Sequence, residues 1–297
     1  MRNLSDIKLR IKAVSDTRQI TGAMETISLV KMRRATQKSA ANKQFFEQVR
    51  VTMRDILTHT KDVSHPYLVE KKDAQSAVFL VVASDKGLAG AYNHNVLSAA
   101  TAHIQKHAQH YIFTVGQVAR EYFEHRGMNV DVEFCHATHD PTLRDASEIA
   151  YTIMQLYDNK QMDEAYMVYS EPVSTGGAPK VSVLRLLPLD PGAVTGETSA
   201  FDEDDEAYNE MFYDPSPEQV LDDLVGQYLI GIIYSALVQS VAAEHSSRMV
   251  AMSNATRNAD DILERLQLEY NRARQESVTS ELSEIITASF GVNNEHE

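Results

Sequence analysis

MVAMSNATRNADDILERLQLEYNRA, residues 249–273, sets Met249, Met252, Thr256, Ala259, Leu263, Leu266, Tyr270 and Ala273 at alternating steps of three and four. That spacing keeps one stripe of a helix against a partner helix for about three heptads, the pattern of a coiled-coil seam. Upstream, Ser216-Pro217-Glu218-Gln219 reads as a helix start. Ser216 serves as N-cap, Pro217 takes the first helical position, and Gln219 closes a capping box. Leu221, Leu224, Val225, Tyr228, Leu229, Ile232 and Ile233 then form a wide apolar stripe. No proline follows Pro217, and the only later glycines are Gly226, Gly231 and Gly291. One helix is predicted over residues 216–290.

The other end of the chain carries a matching seam. Leu4, Ile7, Ile11 and Val14 repeat the same alternation, with Asn3 placed as N-cap and Asp6 in the first turn, where the helix dipole favours an anion. Gly22 is the only glycine or proline before Pro66. A helix to about residue 60 would be about 80–90 Å long at 1.5 Å per residue, too long for one globular core. Two long seams bracketing a middle segment should pair antiparallel. Between residues 21 and 41 the seam thins to Thr21, Ser28, Ala35 and Ser39. A rod with so little apolar surface stabilises itself poorly and reads as something held inside a partner.

The middle, residues 75–190, alternates strand and helix signals. AVFLVVAS at 77–84 is a continuous apolar run of buried-strand type. A helix is expected at 93–107, a strand at 111–115, a helix at 117–126 and a strand at 130–134. Pro141 opens a helix to about residue 157, and strands follow at 165–170 and 181–187. This order predicts a mainly parallel, doubly wound sheet, with Gly176-Gly177 turning a final hairpin. The fold class expected is α/β: an antiparallel coiled coil of the terminal helices plus a Rossmann-like α/β domain. The layout is residues 1–65 (coiled-coil helix), 75–200 (globular domain), 201–215 (acidic loop) and 216–290 (coiled-coil helix).

Composition narrows the function. With 43% hydrophobic residues in 297, the chain can bury a sizeable core and is not a disordered polymer. Residues 1–50 hold eleven Lys/Arg against four Asp/Glu, while residues 186–247 hold thirteen acids and no Lys or Arg. Such polarity predicts different partners for the two regions. The net charge of −14 argues against nucleic acid, whose phosphates demand a basic face. No uninterrupted apolar run reaches the roughly 18 residues of a membrane span, since Leu224 to Val241 is broken by Gln227, Ser235 and Gln239. The polar start with Asp6 resembles no targeting peptide, and the single Cys135 precludes an internal disulfide. The expectation is a soluble cytoplasmic protein.

Few residues offer chemistry. Ser84-Asp85-Lys86-Gly87-Leu88-Ala89-Gly90 sits where an α/β fold puts a phosphate loop, yet it matches neither nucleotide fingerprint. A tight strand-to-helix turn is the stronger reading. Cys135, His136, His139 and Asp140 are metal-ligand types without a second half-site. His103, His107 and His110 are expected on one helix face with no carboxylate nearby. No nucleophile elbow is present. The basic cluster Lys31, Arg33, Arg34 and Lys38, with Lys43 beyond, would attract an acidic collar.

Three segments together resemble the gamma subunit of F-type ATP synthases. They are RIKAVSDTRQITGAME from Arg10, continuing to Lys31-Met32; SDKGLAGAYN from Ser84; and EHSSRMVAMSNATRNA from Glu244 with LQLEYNRARQESVTSELSEI from Leu266. They stand in the family's order across nearly the whole chain. The resemblance implies a coiled coil that penetrates a hexamer of alternating alpha and beta subunits. It also implies a globular end seated with an epsilon subunit on a membrane ring of c subunits. Met24, Lys31, Arg33 and Arg34 would face acidic lever segments of the beta subunits. Arg274, Gln275 and Thr279 would touch the catch loops of the hexamer, and Tyr213 and Asp214 the c ring.

The role so implied is a central-stalk rotor that couples ion-driven rotation to ATP synthesis or hydrolysis. It has no catalysis or cofactor of its own, and it lies at the cytoplasmic face of a bacterial plasma membrane. Two departures stand out: Ala288 replaces a usual family glycine, which favours helix by about 1 kcal/mol, and the pI of about 5.2 is low for the family. The second leaves the acidic loop at 201–214 without an assignment. No cysteine-bearing insert of the chloroplast type is present, so redox control is not implied. The alternatives are an α/β nucleotide-binding enzyme with a helical dimerisation arm, and a free-standing coiled-coil adaptor.

Overall fold

The structure, a computed structural model, describes residues 4–59, 65–69, 71, 74–135, 137–173, 179–190, 192 and 216–293. The acidic loop at 201–214, the glycine pair at 176–177 and the Asn3 cap lie outside these residues. The chain divides into two compact units: residues 1–27 with 249–297, and residues 28–248. Two helices contribute to both, α1 (Leu4–His59) and the last helix, α5 (Pro217–Asn293).

In the first unit α1 and α5 pair antiparallel. Thr21 Oγ lies 2.8 Å from Thr256 Oγ, and three residues earlier on α1 Arg18 pairs with Asp260, four residues later on α5. Ile7, Thr21, Met252 and Ala259 of the seam are buried, while Leu4, Ile11, Val14, Thr256, Leu263, Leu266, Tyr270 and Ala273 are half-buried, as in a two-helix rod with solvent on both flanks. Coiled-coil spacing thus does what it predicts, and hydroxyls meet hydroxyls where the seam turns polar.

The second unit is a doubly wound sheet with helices on both faces. Its strands are β1 (Ser76–Val82), β2 (Gln109–Val115), β3 (Val132–Phe134), β4 (Glu164–Glu171) and β5 (Lys180–Leu187), in the order β3-β2-β1-β4-β5. The first four are mutually parallel, and β5 returns antiparallel to β4 as the expected hairpin. The crossovers are α2 (Tyr92–Ile104), α3 (Gln117–Glu124) and α4 (Leu143–Asp158). Alternate β1 residues serve opposite cores. Ala77, Phe79 and Val81 face α2 and α3, while Val78, Leu80 and Val82 join α4 and parts of α1 and α5. Burial on both faces is why this strand reads as a continuous apolar run.

Local chemistry fixes the boundaries. Thr142 caps α4 through a full capping box with Asp145. The Ser216 hydroxyl accepts the Gln219 N–H at 3.3 Å at the head of α5. The helix expected to reach residue 107 stops at Ile104, because β2 must begin at Gln109 to stand beside Ser76. Met53 and Ile56 of α1 are fully buried in this unit, each contributing about 1.5–3 kcal/mol. Opposite them α5 comes close: a Cβ at Gly231 would meet the Phe46 ring at 2.2 Å. One 18-residue window of α5, with mean hydropathy 1.5, is apolar enough to cross a bilayer, which qualifies the sequence expectation; 56% of that window is buried inside the protein.

Candidate functional site

The loop after β1 is tied down from three sides. The Ser84 N–H donates to Asn93 Oδ1 at 3.1 Å, and its hydroxyl donates to the Lys86 carbonyl at 2.7 Å. Asp85 accepts the Gln117 N–H at 3.1 Å and the Thr138 hydroxyl at 2.6 Å, with His139 Nε2 at 3.3 Å. Arg248 of α5 donates to the carbonyls of Lys86 (3.2 Å) and Gly87 (3.3 Å), and its other nitrogen pairs with Glu244. A phosphate cradle turns backbone N–H groups inward. This loop turns carbonyls onto a guanidinium instead. The expected tight turn is correct, and it is a fastener between the β1 exit and α5.

Arg248 and Glu244 are 8% and 5% exposed. Burial raises the Glu244 carboxyl against the opposing pull of Arg248. His245 beside them is held down to about 4, first by burial and then by the positive charges of Arg248, Lys31 and His139, so it is neutral at pH 7. Removing one member of such a buried pair costs about 3–5 kcal/mol because it strands the other. An acid and an arginine four apart inside an apolar helical stretch, AAEHSSRMV, is the signal that could have revealed the pair.

The histidine readings need correcting. His103 lies on α2, His107 follows it and His110 is on β2, so the three share no helix face. His107 has a carboxylate neighbour, Glu164 Oε2 at 3.5 Å, brought in by β4. Among the described residues no cluster of three or more metal-ligand side chains occurs; His136 lies outside them, and Cys135 is exposed. Asp140 is bound instead by α1. Arg34 Nη2 reaches one carboxylate oxygen at 3.2 Å, and Lys38 pairs with the other.

The residues singled out for partner contact are spread along the helices. Lys31, Arg33 and Arg34 are exposed within one turn of α1. Met24 is half-buried on α1 in the first unit, near the level of Thr256. Arg274, Gln275 and Thr279 are exposed on successive turns of α5, with the Thr279 hydroxyl donating to the Gln275 carbonyl at 2.8 Å. About 20 helical residues, or about 30 Å, separate the level of Met24 from Arg274. Tyr213 and Asp214 lie outside the described residues.

A family model described as ATP synthase matches residues 3–290. The chain is 45% identical over 294 residues to an ATP synthase gamma chain of Caldanaerobacter subterraneus subsp. tengcongensis, covering 95% of this chain and 97% of that one. A gamma chain of Alkaliphilus metalliredigens is 40% identical over 284 residues, covering 96% of each. A chain from the cryo-EM structure of the Euglena gracilis mitochondrial ATP synthase (OSCP/F1/c-ring, rotational state 3) is similar with a TM-score of 0.66 at 16% identity. That similarity covers 97% of this chain and 94% of the other.

Proposed function

The chain belongs to the ATP synthase gamma-chain family, and from that membership we propose that it is the central-stalk rotor of a membrane-bound ATP synthase. What supports the reading is a match that runs through both terminal helices and the sheet domain alike. Residues 1–65 and 216–290 act as the shaft and residues 75–200 as its seat, with the acidic loop at 201–215 between them.

The mechanism follows from asymmetry. Two unlike antiparallel helices inside a three-fold collar of alpha and beta subunits meet each beta subunit in a different way. The rotor therefore biases three chemically identical sites toward different states. Moving a two-state site from 1:99 to 99:1 needs about 5.5 kcal/mol of differential interaction. An ion crossing the membrane supplies about 2.3 kcal/mol per 100 mV, so several ions must turn the c ring for each step. Catalysis resides on the beta subunits, and this chain carries force. The carbonyl-lined loop at Ser84 disfavours the alternative of a nucleotide-binding enzyme.

Met24, Lys31, Arg33 and Arg34 are the residues that would meet acidic beta-subunit levers, Arg274, Gln275 and Thr279 the upper collar, and Tyr213 and Asp214 the c ring. An epsilon subunit would share the globular end. The chain would touch the membrane only through the c ring, on the cytoplasmic face of a bacterial plasma membrane. The test is Lys31→Glu with Arg33→Glu in the reconstituted complex. Ions transported per ATP hydrolysed should fall severalfold in inverted vesicles; an unchanged ratio refutes the assignment of these residues.

A further inference from the structure

We propose that Asp140 is a built-in competitor that limits how much of the α1 basic cluster an acidic partner can engage. The proposal rests on the reading above that this cluster meets acidic segments. Four cations, Lys31, Arg33, Arg34 and Lys38, lie within two turns of α1. Two of them, four residues apart and so on one helix face, already clamp the two oxygens of Asp140. Lys31 and Arg33 make no ion pair among the described residues. The cluster is therefore divided, with half spent inside the chain and half open.

Asp140 is no drifting surface charge. The segment that carries it is anchored on both sides. Ala137 and Thr138 before it are buried, the Thr138 hydroxyl donates to Asp85, and His139 lies against the same carboxylate. Asp85 in turn accepts the first N–H of α3. After Asp140, Pro141 leads directly into the Thr142 capping box of α4. The backbone at Asp140 thus stands at a fixed position, with its side chain 53% exposed, and Arg34 reaches to it with a side chain that is 70% exposed. Lys38 and Arg34 hold the Asp140 carboxyl below its ordinary range, the Lys38 hydrogen bond being the largest cause. It is charged whenever the complex works.

Around this clamp Lys31, Arg34, Lys38 and His139 rim a hollow of about 200 Å³ floored by Ala35, Pro141, Val238 and Val241. Its edge carries the cations Lys31, Arg34 and Lys38 with Asp140 among them, and its other lining is apolar, which suits an acidic side chain carried beside an aliphatic one. An incoming carboxylate competes with Asp140 for Arg34 and Lys38. Exposed ion pairs exchange at little cost, so the clamp does not bar a partner. It removes one charge from the attraction and makes the approach weaker and more readily reversed. A rotor must release each partner as it turns, and a fixed counter-charge is a direct way to keep that grip light.

The experiment uses the full chain and a fluorescently labelled synthetic peptide rich in Glu and Leu, with affinity read by anisotropy at low and high salt. Asp140→Asn should tighten binding about threefold at low salt, the size of one charge interaction near 6 Å in water, and the gain should vanish at high salt. Asp140→Glu should bind as the unaltered chain does. If Arg33→Glu weakens peptide binding while Asp140→Asn leaves it unchanged or weaker, the competitor role is overturned and the acidic-partner reading stands. If Arg33→Glu has no effect, that reading itself fails. Thermal melting of each variant checks that the exposed substitutions leave the fold intact.

Discussion

Gly116 joins β2 to α3 with φ at +97°, and a Cβ there would sit 2.3 Å from the Ala83 carbonyl oxygen. Both atoms in that clash belong to backbone that is already committed. Ala83 donates to Val115 at 2.9 Å, and Ser84 accepts from Val118 at 3.1 Å. No side chain can rotate away to relieve it. Gly116→Ala should therefore destabilise the chain by about 3 kcal/mol or more, combining left-handed strain with overpacking. Denaturant titration of the isolated chain checks it, and a midpoint shift within error would contradict the geometry. The same limit on local reading applies to Asp140 and Arg248. Their partners lie 102 and 106 residues away for Asp140, and 162 and 161 for the Arg248 contacts with Lys86 and Gly87. Asp140 therefore reads in sequence only as a solvated loop acid of metal-ligand type beside two histidines, because nothing nearby discloses two cations from another helix.

At the scale of elements, sequence and structure agree where the signal is periodic. The seams of α1 and α5, the apolar β1 and the cap at Ser216 follow from side-chain chemistry within a few residues, while the helix expected from Pro141 begins at Leu143 behind a Thr142 cap. What escaped was the end of α2, since strand register sets it and register is a non-local property. The candidate surfaces were legible as charge, while the internal pairing that engages two of the four cations was not. Element scale also shows an exposed apolar stretch. The antiparallel register of Thr21 with Thr256 brings Leu4 level with about Ala273, and Leu4 and Ile7 border the groove lined by Ala273 and Ser277. Beyond that level α5 continues to Asn293 and leaves Val278, Leu282, Ile285 and Ile286 roughly half or more exposed. Leu282→Ser with Ile285→Ser should change the stability of the isolated chain by less than about 0.5 kcal/mol per site, because both side chains are more than half exposed among the described residues. The same pair should weaken retention in the assembled complex several-fold, measured by gel filtration after dilution. A large melting-temperature loss in the free chain would mean that the apolar stripe has an internal partner.

At the scale of the whole molecule, the first unit is assembled from the two ends of the sequence, residues 1–27 and 249–297. The hydroxyl pair Thr21–Thr256 spans 235 residues. That separation has a consequence in time. A ribosome adding about 5–20 residues per second emits the first seam about 12–50 s before the segment that covers it exists. During that interval the head of α1, with Leu4, Ile7, Ile11 and Val14 uncovered, has only its own helical propensity to order it. Closing so long a loop is costly until the sheet domain has folded and shortened the gap. In refolding followed by pulsed hydrogen exchange, amides of β1 and β2 should gain protection before those of residues 4–27. Protection arriving first at the N-terminal seam would reverse that order. The protein's two ends thus keep their appointment last, and the order of synthesis is written into which residues face each other.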